Sequence, residues 1–204
     1  MIMKVGIFGG TFNPIHKGHT EAAYAFLRSV DLDKLLVIPT KIPPHKAITS
    51  DDDPEIRLEM TERAFSENKE YEGRIEVSDI EIRSEGKSYT YYTLQKLKSM
   101  GYDEFYLYCG TDMLLSFDTW FRFEDILSMC TLAYASRLEN ASSEASEKIT
   151  MLRERYGARI LEIPLDPIEI SSSKIREMIR KGEDASRYLS PTVLDFISER
   201  GLYQ

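Results

Sequence analysis

Short apolar runs rich in β-branched and aromatic residues recur at residues 3–8, 34–38, 75–82, 104–109, 130–135 and 159–163. Between most of them lie stretches with helical spacing: 18–30, rich in alanine and aromatics; 54–67, opening with a proline in its first turn; 91–99; and 141–156. This alternation predicts an α/β chain, a parallel sheet with helices on both faces. In such sheets ligands bind beyond the carboxyl ends of the strands, which puts residues 9–19, 39–46 and 109–120 on one rim. The tail reads as two helices, 171–181 and 191–200, separated by a turn at Gly182. The expected organisation is one domain over 1–204, with 171–204 as a small C-terminal helical subregion.

Composition narrows the function. The chain has 204 residues, 42% hydrophobic and 29% charged, enough to bury a substantial core. A formal net charge of −8 argues against a nucleic-acid binder or a protein of anionic membrane surfaces, because both need a basic face. A small anionic ligand needs only a few local cations. The two cysteines, Cys109 and Cys130, form no CxxC pair, so neither a disulfide framework nor a structural zinc is expected and a reducing cytoplasm fits. No apolar run approaches the roughly 20 residues that span a bilayer, and the start lacks a signal-peptide layout. The acidic Asp51-Asp52-Asp53 before Pro54 reads as a solvated loop that also caps a helix.

The first rim segment is GGTFNPIHKGH, residues 9–19. A glycine pair after a buried strand lets the chain turn and brings backbone N–H groups close to a ligand, and the following helix points its positive end at the same place. The pattern is neither GxGxxG nor GxxxxGK[ST], which weakens hydride transfer and ordinary ATP hydrolysis. His16 and His19 stand three apart, so both imidazoles can reach one phosphate from a first helical turn. Capping by one histidine and core packing by the other is the plainer alternative. A metal held by the pair lacks a third ligand at suitable spacing. The third histidine, His45, lies in PTKIPPHK with Lys41 and Lys46, the most basic local patch of an acidic chain. Far along, ISSSKIR at 170–176 offers either helix caps alone or a second anion site built from serine hydroxyls, Lys174 and Arg176.

These residues resemble a known family. GGTFNPIHKGH with its HxGH core, together with ISSSKIR, is similar to the nucleotidyltransferase superfamily with a Rossmann-like sheet. PTKIPPHK, SYTYYTL at 88–94, YCGTDMLLSFDTW at 108–120 and the ending YLSPTVLDFISERGLY narrow the likeness to bacterial nicotinate-nucleotide adenylyltransferases, over nearly the whole chain. The resemblance implies backbone contacts from Gly9, Gly10, Thr11 and Phe12. It implies that His16 and His19 bind the ATP phosphates, with His19 at the reacting α-phosphate, while Ser172 and Arg176 hold the β- and γ-phosphates. His16, His19 and Arg176 are the implied catalytic set. Gly110 and Asp112 would meet the adenosine at its ribose. His45 and Lys46 would take the phosphate of nicotinate mononucleotide, with Thr90, Trp120 and Phe121 receiving its ring and Trp120 stacking on it. Two places depart from the common pattern: Asn13 stands where many relatives carry Asp, and Ser136-Arg137-Leu138-Glu139 replaces an Arg-Pro-Gly turn.

The implied reaction joins ATP and nicotinate mononucleotide into deamido-NAD and pyrophosphate. The attacking phosphate oxygen is already ionised near neutral pH, which fits the lack of a Ser-His-Asp set or a carboxylate pair. The work left is positioning and charge stabilisation. Mg²⁺ is expected to accompany the nucleotide through phosphate oxygens and water, with no protein cage. The alternatives are another HxGH adenylyl- or cytidylyltransferase, such as a phosphopantetheine type, and a non-catalytic nucleotide-binding module on the same fold. A homo-oligomer is compatible with the sequence, which leaves the oligomeric state open.

Overall fold

A computed structural model describes residues 3–43, 53–136, 143–165, 168 and 170–204. Six strands form one sheet: β1 (Lys4–Gly10), β2 (Lys34–Pro39), β3 (Ile75–Val77), β4 (Glu104–Cys109), β5 (Cys130–Ser136) and β6 (Ile160–Pro164). The order is β3-β2-β1-β4-β5-β6, and every pairing is parallel. The order reverses between β1 and β4, so their carboxyl ends diverge and leave the crevice where such sheets bind ligands.

Side chains alternate across the sheet as the period of two requires. On β1, Val5 and Ile7 enter one core with Leu36, Leu107 and Leu132, while Phe8 enters the opposite core with Leu35 and Val37. Eight α-helices are described: α1 (Lys17–Val30), α2 (Pro54–Ser66), α3 (Thr90–Ser99), α4 (Thr111–Leu115), α5 (Phe123–Met129), α6 (Ser143–Tyr156), α7 (Ser172–Arg180) and α8 (Pro191–Arg200). Residues of α1, α2, α7 and α8 fill the Phe8 core, and those of α3 to α6 fill the Val5 core.

Local chemistry sets the helix ends. Asp53 caps α2 by accepting from the Glu55 N–H at 2.9 Å, with Pro54 at the first position; Asp51 and Asp52 lie outside the described residues. Ser171 caps α7 through the Lys174 N–H at 3.2 Å. Helix α8 ends on Gly201 in the left-handed region.

One expected strand needs correction, and two helices are additional. The strand expected over 75–82 stops at Val77. Beyond it the chain coils into turns, with Arg83 N–H donating to Asp79 O and Ser84 N–H to Glu81 O. Ile80 and Ile82 are buried from that turn, and their period of two mimics a strand. The short helices α4 and α5 were not anticipated: at five and seven residues, neither is long enough to show a helical period.

Candidate active site

At the carboxyl end of β1 the glycine pair does not turn the chain. Gly9 and Gly10 remain in the strand, paired with Ile38 and Pro39, and Gly10 O accepts from Thr40 N–H at 2.9 Å. The turn comes later, at Phe12, whose φ is 51°, and at the cis Asn13-Pro14 peptide. Gly10 is needed for a close approach: a Cβ there would sit 2.5 Å from the Phe12 ring, which folds back under the strand into the core. A Cβ on Gly9 would meet nothing within 4 Å, so that face is open.

His16 occupies the N-cap position of α1, and His19 lies in its first turn. Their rings stack at 3.7 Å with an interplanar angle of 26°, and Phe12 meets His19 edge-on at 5.1 Å. The His16 main-chain N–H donates to His19 Nδ1 at 3.3 Å. In a neutral imidazole this bond assigns the ring proton to Nε2, making that atom a donor. His16 is 7% exposed, its Nδ1 is buried without a hydrogen-bond partner among the described residues, and burial pulls its pKa down to about 4. Gly18 makes room for this ring: a Cβ there would lie 3.0 Å from His16 Nδ1 and 3.1 Å from Cε1.

The start of α7 faces this turn. Ser172 Oγ donates to Pro14 O at 2.9 Å, and Arg176 donates through Nη1 to Asn13 O at 2.6 Å and through Nη2 to Ser173 Oγ at 3.2 Å. The two distant motifs, GGTFNPIHKGH and ISSSKIR, are therefore in direct contact.

One cavity of about 650 Å³ runs across the rim, a size that suits a nucleotide-scale ligand. Its walls include Gly9, Gly10, Thr11, His16, His19 and Ser172 at one end, Asp112 along one side, and Thr90, Trp120 and Phe121 at the other end. Trp120 stacks on Phe117 at 4.9 Å. Phe121 is 41% exposed and packs on Tyr89 at 4.8 Å. Phe12, Gly110 and Arg176 do not line the cavity: Phe12 is a core side chain, Gly110 caps α4 from below Asp112, and Arg176 stands behind Asn13. His45, Lys46 and the 137–139 departure lie outside the described residues.

Two charged residues escaped the sequence reading. Arg57 on α2 is 1% exposed and donates to Thr11 O at 2.8 Å and to Lys41 O at 3.2 Å, tying the loops after β1 and β2 together. A buried arginine on a helix is indistinguishable in sequence from a solvated one, because its partners here are main-chain carbonyls of other segments. Glu81 lines the cavity and accepts from Thr93 Oγ1 at 2.8 Å. Its place in an apparent strand pattern hid it.

Among the described residues, no group of three or more metal-ligating side chains is present, and no helix is long and apolar enough to cross a membrane. Residues 7–178 match a family model described as cytidylyltransferase-like. A protein of Clostridium botulinum (strain Eklund 17B / Type B) named probable nicotinate-nucleotide adenylyltransferase is 33% identical over 98% of both chains. One of the same name from Shewanella woodyi is 35% identical, covering 99% of this chain and 100% of its own. The solved structure of Plasmodium falciparum nicotinic acid mononucleotide adenylyltransferase complexed with NaAD has a TM-score of 0.79 at 21% identity, covering 98% of this chain and 97% of that one. At that identity the structural likeness speaks for the fold.

Proposed function

The chain belongs to the nicotinate-nucleotide adenylyltransferase family, and from that premise we infer that it transfers the adenylyl group of ATP to nicotinate mononucleotide, forming deamido-NAD and pyrophosphate in NAD biosynthesis. The observation that carries this reading is the stacked His16–His19 pair at one end of a cavity whose other end holds Thr90 and Trp120. One end suits phosphate; the other suits a planar ring with an anionic substituent.

In this reading the triphosphate lies between the first turn of α1 and the start of α7. Backbone groups of Gly9, Gly10 and Thr11 line its path, Ser172 meets the β- and γ-phosphates, and Arg176 adds its positive charge from behind Asn13. Asp112 sits beside the adenosine, and Gly110 begins the helix that carries it. The N–H groups at the start of α3 face the ring carboxylate, and Trp120, backed by Phe117, offers its remaining face to the ring. His45 and Lys46 keep the role the resemblance gives them, at the mononucleotide phosphate.

The reaction needs no general base. An ionised oxygen of the mononucleotide phosphate forms a bond to the α-phosphorus, the bond to the bridging oxygen breaks, and pyrophosphate leaves with the electron pair. His19 Nε2–H donates to an α-phosphate oxygen, where negative charge must be held as the two anions meet. His16 enters neutral, so an arriving phosphate supplies the negative neighbour that would favour its protonation. The donors at the phosphate end are imidazoles, hydroxyls and amides, which match phosphate oxygens better than a hard cation. Mg²⁺ would therefore be held by phosphate oxygens and water, supplying charge neutralisation of the leaving pyrophosphate. The buried free thiols of Cys109 and Cys130 suit the reducing cytoplasm.

Incubation with ATP and Mg²⁺ and, in turn, nicotinate mononucleotide, nicotinamide mononucleotide and phosphopantetheine tests the reading, with products identified by mass. Deamido-NAD as the fastest product supports it. Turnover of phosphopantetheine instead would move the protein to another branch of the superfamily, and tight ATP binding with no turnover would make it a binding module.

A further inference from the structure

Glu81 is a cavity-wall carboxyl to which the mechanism above gives no task. It follows β3 in the turn that carries Ile80 and Ile82 into the core. Thr93 Oγ1 donates to it at 2.8 Å, and the Ser88 hydroxyl also stabilises its ionised form. Ser88 Oγ in turn accepts from the N–H groups of Lys41 at 3.1 Å and Ile42 at 3.4 Å. With both lone pairs so used, the serine has only its own proton left to give, and a carboxyl is the matching acceptor. Ser88 and Thr93 bracket Tyr89 and Thr90, the N-cap and first residue of α3, which line the same cavity. Lys41 does not neutralise Glu81: its Nζ donates to Ser84 O at 2.7 Å, and among the described residues no cation pairs with Glu81.

Resting on the functional reading above, we propose that Glu81 is a positioning residue for the ring end of the mononucleotide: by holding Ser88 and Thr93 it keeps the first N–H groups of α3 aimed at the ring carboxylate, and so sets the preference for nicotinate over nicotinamide mononucleotide. Helix-terminal amides discriminate an anion from a neutral amide only while their direction is fixed, because the interaction falls off within the first turn. A buried carboxyl is an apt holder. Desolvation raises the Glu81 pKa, and the two hydroxyls act against that by favouring its ionised, hydrogen-bond-accepting form.

The test is steady-state kinetics of the full chain with ATP and each mononucleotide, comparing wild type, Glu81→Ala, Glu81→Gln and Thr93→Val. For Glu81→Ala the expectation is a fall of about tenfold or more in kcat/KM for nicotinate mononucleotide, carried by KM, with a smaller loss for nicotinamide mononucleotide and the KM for ATP within about twofold. Glu81→Gln keeps an oxygen for Ser88, while Thr93 can turn its proton to Tyr89 O at 3.4 Å, so its selectivity ratio should stay within about threefold of wild type. Thr93→Val removes one donor and should lower the ratio in the same direction; it decides the matter if Glu81→Ala does not fold. Parallel losses for both mononucleotides, an equal rise in the KM for ATP, or a Glu81→Gln enzyme as unselective as the alanine variant would each overturn the role of Glu81. A wild-type enzyme that turns over neither mononucleotide would instead overturn the functional reading, and this proposal with it.

Discussion

The Tyr203 hydroxyl donates to Asn13 Oδ1, joining residues 190 positions apart. Asn13 O meanwhile accepts from Arg176 Nη1. The turn between β1 and the histidine pair is thus held from two sides by groups near the end of the chain. What this position supplies is a side-chain acceptor oxygen, which an Asp would carry as well as Asn. Tyr203→Phe should lower stability by about 1 kcal/mol, the usual loss for one partly buried hydrogen bond. Asn13→Asp should stay close to wild type. Urea midpoints at equal slope measure both, and an unchanged midpoint for Tyr203→Phe would show that the bond contributes nothing.

Gly18→Ala sets a methyl group 3.0 Å from His16 Nδ1. The ring has to give by a few tenths of an ångström, and its stacking with His19 shifts with it. The expected result is a fall in kcat of ten- to about a hundredfold, in line with the cost of small misplacements in positioned sites. Thermal melting should change by only a few degrees. A variant with wild-type kcat would mean that the His16 ring position is not critical.

The depressed pKa of His16 has a definite sign. Its folded value of about 4 lies below the ordinary 6.5, so on acidification the unfolded chain takes the proton first. The associated stability is complete above pH 6.5 and is lost as pH falls toward 4, amounting to about 2 kcal/mol between pH 7 and pH 5. His16→Gln should lack this part of the acid sensitivity. Denaturant titrations of both proteins at the two pH values give the difference directly, and equal slopes would sink the assignment.

His19→Ala should reduce kcat by two or more orders of magnitude while changing the Kd for ATP much less, because a donor at the α-phosphate acts most strongly as charge accumulates there. Single-turnover rates alongside equilibrium ATP binding separate the two effects. Equal rates in variant and wild type would remove His19 from the chemistry.

Trp120→Ala should raise the KM for nicotinate mononucleotide by about tenfold, in keeping with the 1–3 kcal/mol range for base-on-aromatic stacking, and leave that for ATP nearly unchanged. Phe117, stacked on the other face of Trp120, would lose its cover as well, so a modest drop in melting temperature accompanies it. The reverse pattern of KM values would place Trp120 in the ATP half.

The sheet was legible because each strand is a dense apolar run, and five of the six agree with the structure to within a residue or two. The 75–82 run misled because two isoleucines at alternate positions look the same whether they alternate on a strand or are both pressed inward by a turn. The histidine pair was legible from spacing alone, and ISSSKIR from its own chemistry only as caps or an anion site; that the two segments touch needed the fold. The glycine pair was half understood. Its location at the carboxyl end of β1, in a cavity wall, agrees with the structure, but sequence could not show that Gly10 leaves room for the Phe12 ring. Arg57 and Glu81 were invisible for a common reason: each is defined by tertiary partners on other segments, and a charged letter in a polar stretch carries no trace of them.

The cavity walls come from both sides of the strand-order reversal, from β1 and α1 on one side and from β4, α4 and Trp120 on the other. Occupancy is therefore coupled to cooperative unfolding of the whole sheet. A nucleotide at a hundred times its Kd would add about 2.7 kcal/mol to global unfolding. Amide hydrogen exchange should slow together in β1 and β4, which makes the melting temperature of the intact chain a direct titration of ligand affinity.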